Sequence, residues 1–144
     1  MVLFIVDKKI AKIALGVEKT ESSIIVYQDM KWLPLHLRRQ VHLSSYMYKI
    51  LNGLSPSNFI NKFSYISGGS RDGAHCNLYT PKSDSLKNFY YLGAKAWNNV
   101  PTELRNISDP KLFGLSYKKR LLESVTSDPT YVVNNAFDHI YKLK

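Results

Sequence analysis

A single cysteine, Cys76, stands in the 144 residues. One cysteine excludes an intramolecular disulfide framework and a cysteine-rich zinc knuckle, and it fits a reducing compartment. Long apolar runs are also missing. No stretch approaches the roughly 20 residues of a membrane-spanning helix. Val2 to Val6 is too short for a signal peptide and has no basic segment before it. These absences predict an intracellular protein, cytoplasmic or nuclear, with no membrane association. Acidic residues are few: 11 Asp and Glu stand against 20 Lys and Arg, giving a net charge of +9 and a pI near 9.6. The aspartates Asp7, Asp29, Asp72, Asp84, Asp109, Asp128 and Asp138 are all isolated in sequence. The chain has no Walker loop, dinucleotide glycine motif, zincin motif or Gly-x-Ser-x-Gly elbow. His75 beside Cys76 lacks the second ligand pair that a zinc site needs, and a free cysteine in a half-apolar segment is more often packing than a nucleophile. Asn106-Ile107-Ser108 matches a glycosylation sequon, which means little without a secretion signal. No metal site, cofactor or catalytic residue is expected.

What is present is a foldable, basic chain. Hydrophobic residues at 44% and aromatics at 12% argue for a real core and against disorder. The charge balance favours nucleic acid or another anionic partner. The charge is spread along the length, with short clusters at Lys8-Lys9, Arg38-Arg39 and Lys118-Lys119-Arg120. Each cluster alone is also what a solvated helix face looks like.

The periodicity predicts a mainly α fold built on one long helix, Pro34 to Asn52. Pro34 suits a first turn, where its missing N–H costs nothing. Gly53 suits the stop, because glycine takes the left-handed conformation after a helix. Two apolar stripes follow at helical spacing: Leu37, Val41, Ser44, Tyr48 and Leu51, then Leu43, Met47, Ile50 and Leu54. The remaining face carries Arg38, His42, Ser45, Lys49 and Asn52, with Arg39 at its edge. Arg38, His42 and Lys49 are expected to face outward together. They are read either as a phosphate-contact row, to which His42 adds charge only when protonated, or as a solvated polar face.

Around this helix, Val6, Ile10, Ile13 and Val17 predict the buried face of a first helix that ends at Gly16. Ser22 to Met30 has strand-like composition in Ile24 to Tyr27 but also a serine cap, and is read as a helix. Ser55-Pro56 opens a short helix over 56–63. Residues 64–74 form a loop rich in turn formers. Segments 76–80 and 86–91 predict a small β-hairpin across 76–91. Gly93 to Asn99 is a short helix carrying Trp97, and Pro101 opens a turn with Leu104. Trp97 and Leu104 are expected to pack on the long helix. Asp109 caps a last helix begun by Pro110, with Phe113, Tyr117 and Leu121 buried. The expected organisation is one helical domain over 1–125. A tail follows over 126–144, with a polar turn at 126–130 and either a short helix through Val133, Phe137 and Ile140 or a frayed end.

Two stretches together resemble a known family. Trp32-Leu33-Pro34-Leu35, with Arg38-Arg39-Gln40 and His42, leads to Met47-Tyr48-Lys49-Ile50-Leu51-Asn52-Gly53-Leu54-Ser55-Pro56. After a gap come Tyr91-Leu92-Gly93-Ala94-Lys95-Ala96-Trp97-Asn98-Asn99-Val100-Pro101 and Glu103-Leu104-Arg105. Their order and separation resemble the segment near the C-terminus of animal non-LTR (LINE-type) retrotransposon reverse transcriptases, with weaker likeness from about Asp7 to Val125. The resemblance implies a post-palm, thumb-side region in which Trp32, Pro34, Tyr48, Gly53, Pro56, Gly93, Trp97, Asn98, Pro101, Leu104 and Arg105 are fold signatures, not catalytic residues. It implies that the paired aspartates of the RNA-directed DNA polymerase lie in an upstream region not resembled here, so no catalysis is expected of this chain. It also implies RNA or DNA as partner, and the upstream polymerase region as a second. Arg38, Arg39, His42, Lys49, Lys118, Lys119 and Arg120 are the candidate nucleic-acid contacts. The competing expectation is a structural or protein-interaction domain without nucleic-acid affinity.

Overall fold

The long helix expected from its Pro and Gly punctuation is present as α3, Leu35–Leu51. Its end is a Schellman motif: Gly53, at φ 70°, donates its N–H to Ile50 O at 3.1 Å, and Leu54 N–H reaches Lys49 O at 2.8 Å. The structure, a computed structural model, describes residues 2–18, 20, 23–56, 58–66, 77–80 and 89–127. Among these the architecture is mainly α, with α1 (Val2–Leu15), α2 (Ser23–Asp29), α3, α4 (Phe89–Asn98), α5 (Thr102–Arg105), α6 (Pro110–Ser127) and a 3-10 turn at Ile60–Lys62. The residues divide into two compact units, one drawn from 1–39 and 118–144, the other from 40–117.

In the first unit, α1 ends as expected at Gly16, whose φ of 65° closes a second Schellman turn through Val17 N–H to Lys12 O, 3.2 Å. The buried face differs from the expected one. Ile10 and Ile13 are exposed, at 51% and 79%. The packing runs instead through Ala11, which meets Val26 and Tyr27 of α2 with Val17 and Met30 beside them. A small alanine lets the helices approach where a branched isoleucine would hold them apart. Ser23–Asp29 is helical, as read, in spite of its strand-like composition. The helix ends without a glycine. Lys31 takes the left-handed conformation, φ 51°, and the same pair of bonds forms: Lys31 N–H to Gln28 O at 3.1 Å and Trp32 N–H to Tyr27 O at 3.0 Å. Leu33, Pro34 and Leu37 are buried, as are Leu121 and Val125 of α6. Thr126 and Ser127 continue α6 in place of the expected turn, each returning its hydroxyl to a carbonyl four residues back.

The second unit is organised by three aromatic rings. Asp109 caps α6, accepting from Lys111 N–H at 2.8 Å through Oδ1, and Pro110 begins the helix. This aims Phe113 and Tyr117 inward. Phe113 stacks on Tyr48 of α3 at 4.6 Å between centroids and on Trp97 of α4 at 6.2 Å. Trp97 is fully buried, as expected; Leu104 is half-buried. α4 lies close to α3 because its inner face is small: Ser44 Oγ donates to Ala96 O at 3.3 Å, and a Cβ built on Gly93 would sit 2.6 Å from Met47 Sδ. Gln40 was expected in neither stripe, yet it is buried, its Nε2 bonded to Tyr117 Oη at 2.6 Å. Leu54 of the second stripe is 58% exposed.

Two expected elements differ. The helix over 56–63 is only a turn: Phe59 N–H meets Pro56 O at 3.3 Å, and the 3-10 turn Ile60–Lys62 follows. The β-hairpin over 76–91 is not present in the described part. Phe89–Tyr91 open α4, and their β-favouring aromatic composition yields to packing. Phe89 meets Phe59, Phe63 and Tyr46 edge-on, with centroids 5.7 to 6.3 Å apart. Leu78 forms an isolated antiparallel bridge with Tyr65, inside the expected loop, flanked by Ile66 N–H to Asn77 O at 3.0 Å and Tyr79 N–H to Ser64 O at 2.7 Å. The rest of both segments, and of the loop 64–74, lies outside the described residues, as do 128–144.

Candidate nucleic-acid interface

The signature residues of the second unit build a polar clamp around Asn77–Thr80. Leu78 N–H donates to Asn98 Oδ1 at 2.7 Å, while Asn98 Nδ2 donates to Leu78 O at 2.8 Å. One side-chain amide thus pairs with a residue's backbone as a neighbouring strand would. Arg105 is buried and donates from Nε to Val100 O at 3.0 Å, from Nη1 to Asn77 Oδ1 at 3.1 Å and from Nη2 to Asn98 O at 3.2 Å. Its guanidinium also lies 5.3 Å from the centroid of the Trp97 ring. Pro101 begins the α5 turn between them, with Leu104 N–H on Pro101 O at 3.0 Å. Tyr48 Oη donates to Ile107 O at 2.6 Å. Burial raises the Tyr48 pKa above the usual phenol value, and the Asp109 carboxylate adds to the rise. These side chains are occupied in holding the fold. Pro56, the remaining signature position here, is exposed and serves only a turn.

The candidate contact residues fall in both units. In the second, His42 and Lys49 are exposed on α3. In the first, Arg39, Lys118, Lys119 and Arg120 are exposed. Arg38 departs from the expected outward row. It is half-buried, with its guanidinium 5.7 Å from the centroid of the Trp32 ring. Trp32 is itself 36% exposed, in contrast to the fully buried Trp97. A sequence signal for this difference exists: Trp32 sits in a run with Lys31, Arg38 and Arg39, whereas Trp97 sits among small residues.

Among the described residues no group of three His, Cys, Asp or Glu side chains is placed to hold a metal ion. No described helix is long and apolar enough to cross a membrane. His75 and Cys76 lie outside the described residues. Comparison with protein-family models, with curated proteins and with solved structures finds no match.

Proposed function

We propose that this chain is a non-catalytic nucleic-acid-binding module, of the kind found on the thumb side of non-LTR retrotransposon reverse transcriptases. The observation that carries the reading is the division of labour among its residues. The signature positions Tyr48, Trp97, Asn98 and Arg105 are engaged in internal bonds and stacks. The cations Arg39, Lys49, Lys118, Lys119 and Arg120 stand exposed in a chain of net charge +9. Phosphates are neutralised by such exposed cations, and a binding module needs no others. In this reading the partner is RNA or DNA, and the upstream polymerase region supplies the chemistry. The isolated chain gives no primer extension on an RNA template with Mg²⁺ or Mn²⁺, and extension lost on replacing one of its own aspartates would overturn that part.

Fluorescence anisotropy with a labelled single-stranded RNA across a salt series tests the binding. Replacing both Arg39 and Lys49 with Ala is expected to weaken all sequences alike. The slope of log K against log salt becomes shallower by roughly 0.7 per lost phosphate contact. Replacing Lys118, Lys119 and Arg120 together tests the other cluster in the same way. Unchanged slopes in both variants would reject these sites.

A second reading, a protein-interaction domain, is favoured by exposed apolar residues in the second unit: Tyr46, Ile60, Tyr65, Ile66 and Tyr79 are 37% to 56% exposed. Absence of RNA and DNA binding by the wild type at low salt would select it.

A further inference from the structure

Trp32 is a signature residue that the fold does not consume. The other tryptophan is 0% exposed; Trp32 is 36% exposed, at a turn that its neighbour holds in an unusual conformation. Lys31 carries a positive φ of 51°, and the bond from Trp32 N–H to Tyr27 O fixes the backbone on which the indole stands. The indole therefore stands on a fixed main chain, on a residue that is partly exposed. A cation is held against that ring, the Arg38 guanidinium at 5.7 Å from the centroid. Lys31 and Arg39, both exposed, lie next to Trp32 and Arg38 in the chain.

A partly exposed ring with one cation held against it, and two exposed cations beside it in the chain, matches one kind of ligand well. An acidic peptide would use the cations but not the ring. An apolar protein surface would use the ring but would have to strip water from the exposed Lys31 and Arg39. A single nucleic-acid strand uses both, because each nucleotide offers a π-face and a phosphate. We infer that Trp32 is a base-stacking site for a single-stranded RNA or DNA segment, with Arg38 and Arg39 contacting its backbone. This rests on the nucleic-acid reading above and deepens it, since it assigns base contact to one ring of the first unit. Duplexes are excluded from the site because their bases already stack on one another.

The test uses the full chain and three probes: a single-stranded oligonucleotide, an abasic strand of the same length, and polyglutamate. Trp32→Ala is expected to weaken the base-containing strand roughly 5- to 150-fold, the range that one stacked base supplies. It leaves the salt slope unchanged, because no phosphate contact is removed. Trp32→Phe keeps a ring and falls between. Arg39→Ala instead makes the slope shallower by roughly 0.7. Intrinsic fluorescence gives a direct readout: the base-containing strand quenches the exposed Trp32, the abasic strand does not, and Trp97 emission with the circular dichroism spectrum confirms the fold in each variant. Equal affinity for abasic and base-containing strands, with Trp32→Ala like wild type, overturns the stacking site while leaving phosphate binding standing. Polyglutamate binding as tightly as the oligonucleotide also overturns it, in favour of an acidic partner. No binding of either strand at low salt overturns this site and the nucleic-acid reading together.

Discussion

Replacing Asn98 with Asp changes one atom of the clamp and tests its geometry. In the wild type the amide accepts from Leu78 N–H at 2.7 Å and donates to Leu78 O at 2.8 Å. Each such bond is worth about 0.5–1.5 kcal/mol net, so losing both in Asn98→Ala costs about 1–3 kcal/mol. Leu78 is 0% exposed, so its backbone groups recover little from water and the cost lies toward the upper end. In Asn98→Asp a carboxylate keeps the acceptor and loses the donor, placing negative oxygen against the Leu78 carbonyl. The assay is urea denaturation of wild type, Asn98→Ala and Asn98→Asp at pH 7, followed by fluorescence and circular dichroism. Both variants are expected to show a deficit. An Asn98→Ala variant within 0.5 kcal/mol of wild type, a threshold inside the usual range for ordinary surface substitutions, or an Asn98→Asp variant as stable as wild type, would refute the clamp.

Three further outcomes follow from packing and backbone geometry. Trp97→Ala empties a fully buried site beside Phe113 and is expected to cost about 3–5 kcal/mol, read as a lower urea midpoint; a midpoint like wild type would show that the ring is not buried in solution. Lys31→Gly relieves a left-handed lysine, worth about 1–2 kcal/mol, against roughly 0.5–1 kcal/mol for the freer unfolded glycine. A small rise in melting temperature is therefore expected, with Lys31→Val falling; a drop in Lys31→Gly would contradict the turn geometry. Tyr48→Phe is expected to cost about 0.5–1.5 kcal/mol at pH 7 by removing the bond to Ile107 O. Because burial and Asp109 raise the Tyr48 pKa, its contribution is present below pH 10 and lost as pH rises beyond it, so the variant shows a shallower alkaline decline; parallel pH curves would refute the assignment.

Much of the helical framework is legible in sequence because it is written in local chemistry. Pro34, Gly53, Gly16 and the Asp109-Pro110 pair mark helix ends through backbone rules that need no neighbours. Phe113, Tyr117 and Leu121 follow one face and are buried. What fails does so where distant packing decides. Phe89 to Tyr91 read as strand by composition, but ring contacts with Phe59 and Phe63 make them the start of α4. Gln40 is missed because an amide at helical spacing looks like a solvated face until Tyr117, 77 residues away, is seen to meet it. The candidate site divides in the same way. Residue type singled out the cations, and His42, Lys49, Arg39 and the 118–120 cluster are exposed, as on any solvated helix face. The pairing of Arg38 with Trp32 depends on a side-chain direction that no spacing rule supplies.

Holding a segment by side chains as well as by a short backbone pairing has a kinetic consequence. A hairpin can zip from its turn, with each backbone bond helping the next. Asn77–Thr80 has only a short pairing among the described residues, two backbone bonds to Ile66 and Ser64, and it is also held by an amide 20 residues later and a guanidinium 28 residues away. Those groups reach their places only after α4 and α5 have formed and turned at Pro101. The segment is therefore expected to dock late, after the main folding barrier. Substitutions at Asn98 then act on the unfolding limb of a chevron plot, with φ near zero, whereas substitutions at Phe113 or Trp97 slow folding itself. A clamp of this kind lengthens the life of the folded state without hastening its formation.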